Sequence, residues 1–346
     1  MKKILLIAFP LGVLLACSPT QDKTSEQTEE SVVNVYTHRH YDVDQQLFDQ
    51  FEKETGIKVN VVNANADELI QKMEAEGEES PADVLITVDA GRLARAKSKG
   101  LLQAAESEIL KKNIPAHLID IDKHWFALTK RARVIVYAKD RVQPEQLSTY
   151  EALTDDEWRN RVLIRSSSNI YNQSLLASII ANNGEDAARQ WVTKMVENMA
   201  RTPKGNDRDQ VKAVAAGEGD ITVVNTYYVG RMLNSADPEE LKAGQAVGIF
   251  FPNQEGRGAH INISGAGVAK YAPNKKNAVK FIEFLASVTA QEVFAKANYE
   301  YPVHPEVAPA ELLQSWGEFK EDDLPLNKLG EYNKLSNLIF DAAGWP

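Results

Sequence analysis

Cys17 is the one cysteine in 346 residues, and it closes an apolar leader. With a single thiol the chain forms no internal disulfide, so no covalent staple constrains its fold. Thiolate metal sites and cysteine nucleophiles are excluded by the same count. Lys2 and Lys3 form a charged start, residues 4–15 an apolar stretch too short to span a bilayer, and a small-residue cleavage site follows. Leu14-Leu15-Ala16-Cys17 matches a bacterial lipobox, in which the cysteine becomes the first mature residue and carries lipid. Acyl chains then hold a domain to a membrane without a spanning helix. Residues 1–16 are therefore expected to be a lipoprotein signal peptide and 17–31 a flexible tether, since SPTQDKTSEQTEE has almost no apolar side chains.

About 330 residues remain, too many for one core, which predicts two lobes. The formal charge is −10, and −12 once Lys2 and Lys3 leave with the leader. That balance argues against nucleic acid, which needs basic patches, and mildly favours cationic ligands. No apolar run of 18 or more residues occurs, so no transmembrane helix is expected.

The β-branched run at 32–36 predicts a strand. Leu47, Phe48 and Phe51 at helical spacing, with Gly56 as a stop, predict a helix over 44–55. Strands at 57–62 and 83–88 alternate with helices at 66–76 and 90–99, which is the signature of an α/β lobe with a largely parallel sheet. Residues 125–137 read as a long strand leading into a second lobe. There, strands at 162–164 and 221–224 accompany helices at 172–182, 185–199 and 207–216, and one from 226. Residues 247–251 and 260–269 read as a return crossing, 275–285 as a helix, and the chain from 309 as further helices. The expected division is 32–130 plus 258–290 for lobe 1 and 131–257 plus 291–346 for lobe 2, with the C-terminal helices packing on both. Such an arrangement leaves a cleft between the lobes, where ligands bind.

Phosphate loops, nucleophile elbows, zinc helices and cofactor fingerprints are all absent from the sequence. What stands out is tyrosine placed where strands end and helices begin: His40-Tyr41, Tyr171, and Tyr227-Tyr228. Ligands of open α/β sheets gather beyond the carboxyl ends of strands. Each tyrosine alone would ordinarily be a packing residue with a wet hydroxyl, and the combination is what carries chemistry. Phenolate is a hard anionic oxygen donor of the kind a small trivalent cation prefers. A free phenol has a pKa of about 10, so it binds metal at neutral pH only by losing a proton, which a nearby cation favours. Three or four phenolates balance or slightly exceed the +3 charge of ferric iron, and neutral histidine adds a further donor.

The segments Tyr36–Asp42 (YTHRHYD), 48–56 (FDQFEKETG), 81–93 (PADVLITVDAGRL), 165–172 (RSSSNIYN), 225–228 (NTYY) and 262–269 (NISGAGVA) resemble the ferric-iron-binding periplasmic proteins of bacterial iron(III) ABC transporters, the FbpA and FutA type. The resemblance spans the whole mature chain. It implies a type II periplasmic-binding-protein fold, with two α/β lobes of mixed sheets joined by crossing hinge strands. By the same resemblance His40, Tyr41, Tyr171, Tyr227 and Tyr228 would be the metal ligands, and ferric iron the transported cargo. A carbonate or similar anion would complete the iron shell in some members. Arg39, Arg92 and Arg165 are the candidates for holding such an anion or for supporting the ligands, Arg39 ahead of the other two, and the ordinary reading of each is a structural or surface arginine. His304 lies outside the matched motif and reads as structural.

The implied role is a monomeric, non-catalytic receptor, lipid-anchored in the periplasm or at the cell surface, that hands iron to an ABC-type permease. A receptor of the same fold for sulfate, phosphonate or polyamine is the alternative, and it would offer helix N-termini and arginines rather than clustered tyrosines. An enzyme with a tyrosine or carboxylate base lacks a compact constellation in this sequence.

Overall fold

The β-branched run at the start of the globular part becomes β1 (Val32–Thr37), with Val33 and Val35 fully buried. The computed structural model describes residues 31–39 and 41–346; the leader, Cys17 and the tether up to residue 30 lie outside the described residues. β1 pairs in parallel with β2 (Lys58–Asn63) and β3 (Val84–Val88). The helix Asp42–Thr55 follows β1. It starts on a capping box between Tyr41 and Asp44 and ends at Gly56, whose φ of +70° is a left-handed C-terminal cap. Its buried face is Val43, Leu47, Phe48 and Phe51, and Phe51 meets Phe281 edge-on at 5.0 Å. Losing a ring buried this fully costs about 3–5 kcal/mol.

β4 (Leu102–Gln103) adds to the other side of this sheet, and β5 (Phe126–Ala138) is its longest strand. β5 belongs to two sheets at once. Phe126–Ala132 pairs antiparallel with β9 (Ile261–Ala269), which also pairs with β3. From Arg133 onward β5 turns to β7 (Ile221–Asn225) and β8 (Val247–Phe250), and β7 pairs in parallel with β6 (Val162–Leu163). β10 (Tyr301–Pro302) returns to β5 at Thr129 and Lys130.

At the changeover a side chain enters the backbone ladder. Arg133 N–H donates to the His260 carbonyl at 2.9 Å. The reciprocal bond is replaced by Tyr150: His260 N–H donates to its hydroxyl at 3.0 Å, and that hydroxyl donates to the Arg133 carbonyl at 2.5 Å. Tyr150 is fully buried, so this hydroxyl satisfies two backbone groups that water does not reach.

The strands and helices pack into two α/β lobes. Val33, Leu47, Phe51, Val84, Trp125 and Phe281 form the core around the first sheet. The second sheet is covered on one face by Trp158, Leu175, Ile179, Val192 and Trp191, and on the other by Val134, Val214, Val224 and Met232. Phe294, Val303 and Leu329 join the first core, whereas Ile339, Phe340 and Trp345 join the second, so the C-terminal part of the chain lies across both. Three helices have no counterpart in the periodicity: Glu108–Asn113, Pro238–Ala246 and Val288–Asn298. The last opens on β-branched Val288 and Thr289 and is anchored instead by its cap, Ser287, whose hydroxyl accepts from Ala290 N–H at 3.3 Å.

Candidate metal centre

Three strand-to-helix junctions present the tyrosines. Tyr41 is the N-cap of the helix Asp42–Thr55, and its N–H donates to the Asp44 carboxylate at 3.1 Å. Tyr171 stands in the first turn of the helix Ile170–Asn183, capped by the Asn169 side chain. Tyr227 and Tyr228 open the helix Thr226–Leu233 directly after β7. The positive end of each helix dipole therefore faces the phenols, which favours negative charge on them.

The junctions converge. The Tyr171 and Tyr227 hydroxyls are 3.5 Å apart, and the Tyr227 and Tyr228 rings lie 4.2 Å apart, tilted by 31°. Tyr41 completes the group, close enough to Tyr171, Tyr227 and Tyr228 for their charges to interact. Tyr171 and Tyr227 are buried and Tyr41 and Tyr228 half-buried. His40, the remaining donor of the motif, lies outside the described residues.

Burial pushes the Tyr227 phenol well above its ordinary value, and Tyr171, Tyr228 and Tyr41 push it further, with Arg131 opposing. Burial also raises Tyr228, reinforced by Tyr171 and Asp207. Tyr41 is raised by burial and then by the Glu300 carboxylate, against the pull of Arg39. These three phenols hold their protons at neutral pH until a cation arrives to replace them.

Arginines surround the phenols. Arg39 and Arg231 lie 5.3 and 4.9 Å from the Tyr41 ring, and Arg131 and Arg133 lie 5.5 and 5.7 Å from the Tyr171 ring. Arg39 is held by Asp44 at 2.8 Å and Glu300 at 3.0 Å, all three buried. Burial opposes ionisation of Glu300, yet Arg39 and Arg131 hold its carboxyl below the usual range. Arg133 and Arg165 share Asp207, at 2.8 and 2.6 Å. Arg131 is 1% exposed and donates to the Ser264 hydroxyl at 3.2 Å, while its Nε and Nη2 have no hydrogen-bond partner among the described residues. Arg131 was hard to single out, since it and Arg133 interrupt an apolar strand in a way that reads simply as alternation. Arg231, one turn beyond the paired tyrosines, and Glu300 carry no motif.

Two cavities flank the phenols, and Tyr228 borders both. One, of about 540 Å³, is lined by Tyr41, Asp42, Asn206, Arg208 and Arg231. The other, of about 380 Å³, brings together Tyr171, Arg92, Arg165, Ser166, Ser168 and His38. Arg92 and Arg165 thus share a cavity, and Arg39 lies apart with its carboxylates. His304 is buried and accepts from Glu306 N–H at 3.2 Å. Asp120, Asp122 and His124 lie together elsewhere, but Lys97 already bonds both carboxylates there, at 2.8 and 2.6 Å.

Residues 46–321 match the family described as bacterial extracellular solute-binding protein. The chain is 51% identical over 328 residues to iron uptake protein A1 of Synechocystis, covering 95% of this chain and 90% of that protein. It is similar in structure to a Trichodesmium IdiA (FutA) protein in complex with iron and citrate ligands: TM-score 0.89 and 50% identity, covering 91% of this chain and all of the other. The ferric binding protein of Campylobacter jejuni superposes with a TM-score of 0.87 at 43% identity, covering 91% and 100% of the two chains.

Proposed function

Because this chain belongs to the bacterial extracellular solute-binding protein family, we propose that it binds ferric iron in the cell envelope and delivers it to an ABC-type permease. The convergence of Tyr41, Tyr171, Tyr227 and Tyr228 carries this reading, with the 3.5 Å approach of two phenol hydroxyls at its centre. Phenols that close, once deprotonated, leave charge that only a cation of high valence compensates. The ligand set is these four tyrosines together with His40. Relatives named for iron uptake and ferric binding support the same cargo.

An anion completes the iron shell from the cavity of Arg92, Arg165, Ser166 and Ser168, where two guanidinium groups and two hydroxyls face one space. Carbonate and citrate have the right chemistry, and the Trichodesmium protein's iron and citrate make citrate a natural probe. The receptor is a non-catalytic monomer, held to a membrane by lipid on Cys17. Its lobes are 32–130 plus 258–290 and 131–257 plus 291–346, with the C-terminal segment packing on both cores, and they open and close about the Ala132–Arg133 changeover.

An absorption spectrum tests the reading. Adding ferric iron at neutral pH is expected to produce a visible phenolate-to-iron charge-transfer band that a reductant bleaches. A protein that stays colourless and takes up no iron sinks it.

A further inference from the structure

Beside the phenols lies a buried carboxylate that they do not use. Asp89 follows β3 directly, with no exposure and a φ of +83°, a left-handed backbone that a non-glycine residue keeps only where its surroundings over-determine it. Those surroundings are explicit. Gly91 N–H donates to Oδ1 at 2.8 Å, capping the helix Ala90–Ser98. Asn262 Nδ2 donates to Oδ2 at 2.8 Å, and the Asp89 N–H itself donates to the Ile263 carbonyl at 2.8 Å. The remaining donor is the Ser174 hydroxyl, 2.8 Å from each carboxylate oxygen.

These donors come from different parts of the molecule. Asn262 and Ile263 are on β9, in the same sheet as β3 and β1, and β1 leads to Tyr41. Ser174 is on the helix Ile170–Asn183, whose Leu175, Leu176 and Ile179 sit in the second core. Tyr171 precedes Ser174 by three residues, which places both on one face of that helix. The Asp89–Ser174 bond therefore ties the sheet leading to Tyr41 to the helix presenting Tyr171.

The chemistry suits a contact that forms and breaks. If the helix moves off the sheet, Asp89 keeps Gly91, Asn262 and the charge of Arg131, so no carboxylate is stranded. The Ser174 hydroxyl has its own helix carbonyl to turn to, as serines in helices do. Resting on the tyrosine–iron reading, we propose that Asp89 is a positioning residue whose grip on Ser174 holds Tyr171 in register with Tyr41 and sets how long bound iron is retained.

The test uses full-length, iron-loaded protein and follows loss of the visible band to excess EDTA. Ser174→Ala is expected to release iron about tenfold faster, the effect of one hydrogen bond to a charged group, with the band position unchanged. Ser178→Ala is the control, because it removes a buried hydroxyl one turn along the same helix that donates to Leu175 and not to Asp89. Its release rate should match that of the parent protein. Asp89→Asn, which retains a good cap and tolerates the left-handed backbone, should also speed release, and combining it with Ser174→Ala should add little. Unchanged release in Ser174→Ala, equal acceleration in Ser178→Ala, or a fully additive double variant each overturns the proposal. A parent protein that shows no iron band fails the tyrosine–iron reading instead.

Discussion

The two halves of the molecule contribute unequally to the phenol cluster. The second sheet and its helices present three tyrosines at two adjacent helix starts, with two of the hydroxyls already 3.5 Å apart. The first contributes Tyr41 alone among the described residues, half-buried and lying between Arg39 and Arg231. Each side is backed by arginine on a buried carboxylate: buried Arg133 and half-buried Arg165 on Asp207 in one, Arg39 on Asp44 and Glu300 in the other. On the ligand set proposed above, the trio grouped on one half would be the landing site for ferric iron and Tyr41 the ligand added from the other half. Loading and retention would then be governed by different residues.

Acid should have the largest effect, and it separates phenol chemistry from simple charge attraction. The Tyr41, Tyr227 and Tyr228 pKa values lie above their ordinary value, so below about pH 10 the empty site holds those protons and binding must release them. Affinity for free ferric ion should therefore fall on acidification, by about tenfold per pH unit for each phenol that coordinates. A titration at constant free iron that is flat between pH 8 and 6 would rule the phenols out. Tyr227→Phe combined with Tyr228→Phe should abolish the visible band and weaken binding by at least about a thousandfold, or about 4 kcal/mol. Tyr41→Phe should cost only about tenfold, about 1.4 kcal/mol, with the band weakened but present, and should act mainly on the release rate. Equal losses from the two sides would erase the asymmetry.

The supporting ion pairs extend the comparison to stability. Asp207→Asn leaves buried Arg133 and half-buried Arg165 sharing no carboxylate and should cost about 3 kcal/mol in denaturant unfolding. Asp44→Asn should cost about half as much, because Glu300 still holds Arg39. At neutral pH the smallest expected effect lies at His260, whose pKa burial and then Arg133 press down to about 3. It stays neutral when folded, so its contribution is complete above pH 6.5 and is lost as pH falls from there toward 3. His260→Gln should flatten the acid limb of the stability curve.

Much of the architecture was legible beforehand because period-2 and period-3.6 patterns are local. The strands at 32–37 and 221–225, the Gly56 stop and the long strand near 125–138 needed only neighbours in sequence. The tyrosines were legible as residues at strand ends. Their convergence was not, because it depends on where β5 changes sheets, and a 13-residue strand gives no sign of the residue at which it changes partners. Arg131, Glu300 and Asp89 were hidden for a related reason: each has a partner far along the chain, Ser264 at 133 residues, Arg39 at 261 and Ser174 at 85, and none sits in a spacing that marks a site. The helix Val288–Asn298 escaped because its opening residues are β-branched and its cap, rather than its periodicity, starts it.

The hydroxyl that Tyr150 places between Arg133 and His260 has a mechanical consequence. An ordinary rung fixes two chains at a set distance; one carried by a single oxygen on a side chain has an axle, able to swivel while donating on one side and accepting on the other. A rotation of one sheet against the other, as the proposed opening and closing requires, would then strand neither backbone group.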